Sequence, residues 1–321
     1  MRLLKGALMI LFLPLILLGT AKGSNTFDAG SDSPYSLVVS PDGAYLYAGC
    51  NDGTITKIQL SDRTIDTCYD IGIYGAIDLV ITSDGQYMYA SNAVNGYYTA
   101  KIALPNCSLI TNIPGGTDPA AMAIDSDDSV IYITNHWSGF LQLVSIPDDL
   151  EITRIYGIGN GALGICLSPD DNYAYVIVRG IGPYPDSGLL KISLIDNQIV
   201  SELPTMKGHG IDITPDGQEL WITNIINDYV YIVDASTLLI IDSLYAPSLP
   251  YLVKISPDGQ YAFVSNHLSN MVTSFSVQCV RNWIQRLQDR ALRIWRFLLM
   301  VKDCMLRTTW RILLQNSLLW S

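Results

Sequence analysis

Between residues 34 and 277 the chain alternates short apolar runs with tight polar turns, and the alternation repeats. Leu37, Val38 and Val39 run into Ser40-Pro41-Asp42-Gly43, and the chain leaves through Ala44-Tyr45-Leu46-Tyr47-Ala48. The phrase returns at Thr82-Ser83-Asp84-Gly85 before Tyr87-Met88-Tyr89-Ala90-Ser91-Asn92, and at Asp127 before Ile131-Tyr132-Ile133-Thr134-Asn135. It returns again at Asp170 before Tyr173-Ala174-Tyr175-Val176, at Asp216 before Leu220-Trp221-Ile222-Thr223-Asn224, and at Asp258 before Tyr261-Ala262-Phe263-Val264-Ser265-Asn266. Successive anchor aspartates stand 42, 43, 43, 46 and 42 residues apart. Each turn has the residues a tight hairpin requires: Pro presets φ, Asp hydrogen-bonds its own backbone, and Gly accepts positive φ. A third strand follows by alternation, as at Val230 and Ile232 with Tyr229 and Tyr231 on the other face, and a weaker fourth, as over 239–244. A period of about 40–45 residues with four short strands is that of a β-propeller blade, not of a helical repeat. The pattern predicts an all-β propeller with six recognisable four-stranded blades. An ordinary β-sandwich would not hold six turns in so constant a register.

The first residues read differently. Arg2 and Lys5 precede a 12-residue apolar run from Ala7 to Leu18, and small residues follow. This predicts a secretory signal peptide over 1–23, cleaved after Ala21 or Gly23, with an uncleaved anchor as the alternative. No Cys follows the run closely, so a lipoprotein is not indicated. The expected compartment is extracytoplasmic: periplasm, cell surface or medium. Disulfides are allowed there, but the six cysteines (Cys50, Cys68, Cys107, Cys166, Cys279 and Cys304) have irregular spacing and no metal pattern. Cys166 lies within an apolar strand and reads as a buried small residue.

Charge divides the chain. The formal net charge is −11, which argues against nucleic-acid binding. Residues 22–277 hold 9 Lys/Arg and 28 Asp/Glu, a net of −19, whereas 278–321 hold 8 Lys/Arg and 2 Asp, a net of +6. Four of the six Trp also lie in those last 44 residues. Val280, Ile284, Leu287, Ala291, Ile294, Leu298, Val301 and Met305 form a helical 4-3 stripe, with Arg281, Arg286, Arg290, Arg293 and Arg296 off it. This basic tail, 278–321, admits three readings. It is a frame-shifted or chimeric end replacing a seventh blade, an amphipathic helix making peripheral membrane or partner contact through 280–305, or a helix packed on the propeller.

Tyr-Ile-Thr-Asn at 132–135, Trp-Ile-Thr-Asn at 221–224 and the Ser/Thr-Pro-Asp-Gly turns resemble the YVTN-repeat β-propellers, the YncE-like and surface-layer-like proteins. The resemblance covers about residues 34–277 and concerns the fold. Cys50 and Val178 depart from it at the motif's Asn position. Family members are often seven-bladed, are similar in fold to lactonase-type propellers and the propeller of nitrous-oxide reductase, and include many non-enzymatic surface or periplasmic proteins.

Topology sorts the loops. If the first strand of each unit runs toward the Pro-Asp-Gly turn, the residues leading into it share the opposite, upper face with the loop leaving the second strand. Seven residues before each anchor stand Tyr35, Ile77, Ala120, Leu163, His209 and Tyr251; nine after stand Asn51, Ala93, His136, Arg179, Ile225 and His267. All three histidines therefore fall on one face, together with the Pro/Gly-rich insertion 180–188 and its Tyr184. The candidate ligand site is Tyr35, His136, Arg179, Tyr184, His209, Tyr251 and His267. Each histidine also has a plain structural reading, in an exit loop or a strand start. The anchors Asp42, Asp84, Asp127, Asp170, Asp216 and Asp258 read as turn-makers rather than a carboxylate ring. No nucleophile elbow, phosphate loop or HExxH motif is present. The expectation is a binding or scaffolding module without cofactor or metal, taking a protein, polymer or small molecule. A lactonase-like hydrolase or redox propeller using the same face is the alternative.

The sixth unit supplies only three strands, near 252–255, 262–265 and 272–277. The one strand-like segment left unassigned is Asn25–Ala29, which is expected to pair beside 272–277 and close the ring.

Overall fold

A computed structural model describes residues 34–50, 52–62, 64–70, 76–92, 97–104, 106–180, 188–204, 206–246, 249–266 and 271–282. The expected signal peptide, the closing segment Asn25–Ala29 and the tail beyond 282 lie outside the described residues.

The strands fall into six antiparallel sheets in sequence order. Blade 1 is β1 (Pro34–Val39), β2 (Tyr45–Cys50), β3 (Thr54–Gln59) and β4 (Ile65–Asp70). Blade 2 is β5 (Ala76–Ile81), β6 (Tyr87–Asn92), β7 (Tyr98–Ala103) and β8 (Ser108–Pro114). Blade 3 is β9 (Pro119–Ile124), β10 (Val130–Asn135), β11 (Phe140–Ser145) and β12 (Glu151–Tyr156). Blade 4 is β13 (Ala162–Leu167), β14 (Tyr173–Val178), β15 (Gly188–Ser193) and β16 (Gln198–Pro204). Blade 5 is β17 (Ile211–Ile213), β18 (Glu219–Asn224), β19 (Tyr229–Asp234) and β20 (Ile240–Tyr245). Blade 6 is β21 (Pro250–Ile255), β22 (Tyr261–Asn266) and β23 (Met271–Ser276), three-stranded among the described residues. The first strands pack in succession, β1 on β5, β5 on β9, β9 on β13, β13 on β17 and β17 on β21, so they line the central axis. This is a six-bladed propeller. Its last strand ends at Ser276, and residues 277–282 are already helical.

The anchors are turn-makers. The hydroxyls of Ser40, Thr82, Ser168, Thr214 and Ser256 each donate to the anchor carboxylate two residues on, at 2.5–2.7 Å. The same hydroxyl oxygens accept the backbone N–H that opens the second strand, as from Tyr45 at 2.9 Å and Tyr261 at 3.0 Å. In blade 3 Asp125 takes that place, accepting from Val130 N at 3.0 Å and from the Ser129 hydroxyl at 2.6 Å. The hydroxyl bond holds Asp42, Asp84, Asp170 and Asp258 below the usual carboxylate range.

Neighbouring turns interlock by residue type. A Cβ on Gly85, Gly217 or Gly259 would lie 3.6, 3.3 or 3.2 Å from the ring of Pro41, Pro169 or Pro215 in the preceding blade, and all three glycines have positive φ. Where the preceding turn carries Ser instead of Pro, the following turn carries Asp instead of Gly. Asp128 accepts from the Ser83 N–H and hydroxyl at 2.8 and 2.6 Å, and Asp171 accepts from Ser126 N at 3.0 Å. These two aspartates hold the glycine conformation, with φ of 57° and 54°.

The Thr-Asn end of the repeat has its own task. Four inner strands are bonded at an irregularity by a second-strand hydroxyl. Ser91, Thr134, Thr223 and Ser265 accept the N–H of Asp78, Ala121, Gly210 and Leu252 at 2.8–3.0 Å. The next residue is the buried Asn92, Asn135, Asn224 or Asn266. Blades 1 and 4 have Gly49-Cys50 and Ile177-Val178 there and lack that hydroxyl.

Blade-to-blade packing is carried by two positions. Five residues before the anchor stand Leu79, Met122, Ile165, Ile211 and Val253, all 2–6% exposed; five after it stand Tyr47, Tyr89, Tyr132, Tyr175 and Trp221, 0–6% exposed. Their counterparts at the ends of the series are not covered: Leu37 in blade 1 is 60% exposed and Phe263 in blade 6 is 43% exposed. A Cβ on Gly43 would meet no described atom within 4 Å, unlike its equivalents Gly85, Gly217 and Gly259. Among the described residues the ring therefore has a seam between blades 6 and 1.

Ile165→Ala should destabilise the protein by ~2–5 kcal/mol, the range for truncating a packed aliphatic residue. Leu37→Ala, at the equivalent repeat position, should cost under about 1 kcal/mol. Urea unfolding of the two variants checks this; equal costs would mean that the seam is closed in solution.

Candidate functional site

The upper face is built as the topology requires. His136, leaving β10, donates its backbone N–H to Asp118 O at 2.9 Å, and Asp118 leads into β9. Gly161 N donates to His136 O at 2.6 Å, and Arg179 N to Gly161 O at 2.8 Å, so the lead-in of blade 4 is threaded between the exit loops of blades 3 and 4. The His136 ring places Nδ1 3.1 Å from Asp118 Oδ2. Asp118 has a φ of 64°, and its Oδ1 is buried with no hydrogen-bond partner among the described residues. Half-exposed Trp137 meets the His136 ring edge-on at 4.9 Å, and Arg179 is exposed beside this group.

His209 and Tyr251 meet in the next sector. Their ring centroids are 3.8 Å apart at 37°. His209 is buried, and its backbone sits between two glycines for a steric reason: a Cβ on Gly210 would come within 2.8 Å of the Tyr251 carbonyl. The first strand that follows, β17, has three residues where the other first strands have six. The sequence-derived candidates thus form two groups, His136 with Arg179 and His209 with Tyr251. Tyr35 lies in β1 with its side chain outside the description, and Tyr184 and His267 lie outside the described residues.

Below this mouth the channel holds charged groups that the sequence reading passed over. Asp78 is on β5, Asp212 on β17 and Lys254 on β21. Lys254 is exposed to water although it sits on an innermost strand. Asp78 and Lys254 belong to blades 2 and 6, which are not neighbours, so their interaction crosses the channel. The carboxylate of Asp212, with that of Asp78 behind it, raises the ammonium above its ordinary value against the partial desolvation imposed by the surrounding channel walls. Burial pushes the Asp78 carboxyl up to about 6, and the Lys254 cation opposes this only in part. Both carboxylates also bind the next blade: Asp78 Oδ2 accepts from Met122 N at 2.8 Å and Asp212 Oδ2 from Ile255 N at 2.7 Å. Cys166 is buried on β13, and burial together with Asp212 pushes its thiol well up, so it is an inert thiol rather than a nucleophile. A signal for this group existed. Four residues before the six anchors stand Val38, Val80, Ala123, Cys166, Asp212 and Lys254, so two units break an otherwise small and uncharged position with opposite charges.

The arrangement offers an ammonium with three donors and a carboxyl that shares its proton near neutral pH, beneath a mouth bordered by an arginine and a stacked His-Tyr pair. That set suits recognition of oxygen acceptors such as carboxylates. Among the described residues no group of three or more His, Cys, Asp or Glu could hold a metal ion, and His136 and His209 stand in separate groups.

No protein-family model matches this chain. No curated protein matches it in sequence. Among solved structures it is similar to a chain of Kuenenia stuttgartiensis hydrazine synthase, with a TM-score of 0.59 and 15% identity over 81% of this chain and 99% of that one. At that identity the likeness shows the fold and nothing of the chemistry.

The Asp78 carboxyl should titrate near 6 in the folded chain against ~3.9 in a free peptide. Lys254→Met should move it higher, because a neighbouring cation that favours the ionised form is lost. Since the folded value exceeds the unfolded one, this group's contribution to stability is present below about pH 4 and lost as the pH rises through 6. Carboxyl-carbon NMR of the wild type and of Asp78→Asn checks the assignment.

Proposed function

We propose that this chain is an exported, non-enzymatic binding propeller, a diverged YVTN-repeat protein that takes its ligand at the upper channel mouth. The observation that supports this reading best is the water-reached Lys254, set between Asp212 and Asp78 in a channel whose mouth carries Arg179 and the His209–Tyr251 stack. An ammonium there is held charged and has donors to offer, while the backbone bonds of Asp78 and Asp212 fix the two carboxylates in place. Rigid placement of a few polar groups in a concavity is what ligand recognition needs. The ligand class is a small molecule or polymer end bearing carboxylate or other oxyanion groups. The threaded Asp118–His136–Arg179 segment is the second contact, along the rim. Export rests on the charged, apolar and small-residue succession over 1–23.

Calorimetric titration with dicarboxylates and uronic-acid oligosaccharides should identify binders without turnover. Lys254→Met and Arg179→Ala should each weaken them about tenfold or more, in line with ~1.5–3 kcal/mol for a hydrogen bond to a charged group. Unchanged affinities in both variants would exclude the mouth, and turnover on a lactone panel would replace binding by hydrolysis. The exported chain should begin at Lys22 or Ser24 by N-terminal sequencing; a cytosolic product with Met1 intact would count against export.

A further inference from the structure

Blade 6 has one covered face and one bare face. The second strands of the other five blades are buried along most of their length. In β22 burial alternates instead: Tyr261 and Phe263 are 46% and 43% exposed, whereas Ala262 and Val264 are buried. Ala262 and Val264 pack with Trp221 and Val253 in the joint with blade 5. Successive side chains of a strand point to opposite faces, so Tyr261 and Phe263 face the seam. Their ring centroids are 6.2 Å apart. On the blade 1 side, Leu37 and Val39 are 60% and 50% exposed. None of these four side chains belongs to an inter-blade cluster. Nor does β21 pack on β1 as the other inner strands pack on their successors.

Strand register adds one charge to this face. Lys254 of β21 lies directly opposite Phe263, and Ser274 of β23 lies opposite Phe263 on its other side. Directly paired residues project to the same face of a sheet. Lys254 therefore leaves the inner strand on the seam side, where the seam opens on the channel, and begins a row that runs outward through Phe263 to Ser274. Two strand spacings make that row about 10 Å long. The Lys254 side chain is exposed to water. Among the described residues its ammonium takes part in no hydrogen bond and no ion pair within 4 Å, while Asp212, the carboxylate that acts on it most strongly, accepts from Ile255 N. Three N–H donors are thus unspent.

We propose that the seam is a lateral cleft for a long-chain carboxylate, whose head group meets the Lys254 ammonium and whose alkyl body lies outward between Phe263 and Tyr261 on one wall and Leu37 and Val39 on the other. The ligand is amphiphilic because the cleft is: one cation stands at its inner end and apolar bodies stand along both walls. An uncharged chain leaves the ammonium unmet, and a short acid leaves the walls in water. The inference rests on the proposed function for the anion-binding role of Lys254, and departs from it by placing the apolar part of the ligand in the seam rather than at the upper rim.

The test is calorimetric titration of the full chain with decanoate below its micelle-forming concentration. Decanoate should bind, with decanol and butyrate at least tenfold weaker. Leu37→Ser and Phe263→Ser should each weaken decanoate about fivefold or more and Lys254→Met about tenfold or more, whereas Arg179→Ala should leave it within twofold. In a second measurement, on the wild type, decanoate carrying a mid-chain diazirine should label residues 37–39 or 261–263 on irradiation. Failure of decanoate to bind, equal affinity in the wild type and both wall variants, or label confined to the rim at 136–137 and 179 would overturn the proposal. Succinate separates the two readings. Succinate binding that Arg179→Ala weakens, without decanoate binding, keeps the mouth and removes the seam; wall-dependent decanoate binding without succinate binding does the reverse.

Discussion

The contact between one blade's second-strand aromatic ring and the next blade's inner-strand aliphatic side chain is what holds this molecule in shape. A single four-stranded blade has two faces and no interior. Only when Tyr47, Tyr89, Tyr132, Tyr175 and Trp221 close over Leu79, Met122, Ile165, Ile211 and Val253 does apolar surface leave water on both sides. The lysines reinforce the same joints. Lys101 lies 4.5 Å from the Tyr87 ring and ion-pairs with Asp149 of the next blade at 2.7 Å. Lys191 lies 4.3 Å from the Tyr173 ring and donates to Ala235 O at 3.0 Å. In both cases one side chain serves its own aromatic face and donates to a backbone carbonyl of the next blade, Ile146 O for Lys101 and Ala235 O for Lys191.

The channel chemistry is a by-product of these joints. The Ser91 hydroxyl patches the irregular pairing of β5 and so fixes the residue whose N–H it receives, which is Asp78. That carboxylate then reaches forward to Met122 of blade 3, as Asp212 reaches from blade 5 to Ile255. Groups that first serve as inter-blade clamps end beside the axis, where they meet Lys254 from the other side of the ring. The arrangement of these channel charges is therefore tied to the geometry of at least four blades.

Most of the fold was legible in the sequence because a period of constant length fixes register, and register fixes face. The anchors, the strand positions and the shared face of the exit loops and the strand lead-ins all follow from counting residues from each Asp. The fourth strand of blade 5, read over 239–244, forms over Ile240–Tyr245. What counting did not deliver were contacts between units that are distant in sequence. The interaction of Lys254 with Asp78 arises because blades 2 and 6 approach across the axis, and the burial of His209 comes with its packing on Tyr251 of the next blade. The exposed faces of Leu37 and Phe263 were hidden for a related reason: the pattern shows what each blade offers and is silent on whether a neighbour arrives.

The matched turn residues make the order of the blades a matter of compatibility. Each turn has a trailing side, its second residue, and a leading side, its fourth. Blades 1, 5 and 6 present Pro behind and Gly in front, so any of them can follow another of the three. Blade 2 trails Ser, blade 3 has Ser behind and Asp in front, and blade 4 leads with Asp and trails Pro. Blades 2 to 4 are thus a keyed block with one permitted order, whereas at the seam a blade of the Pro–Gly kind would meet Pro257 on one side and Gly43 on the other without any substitution. By this rule the ring can lengthen or shorten at any Pro–Gly joint, the seam included, and resists exchange only within blades 2 to 4.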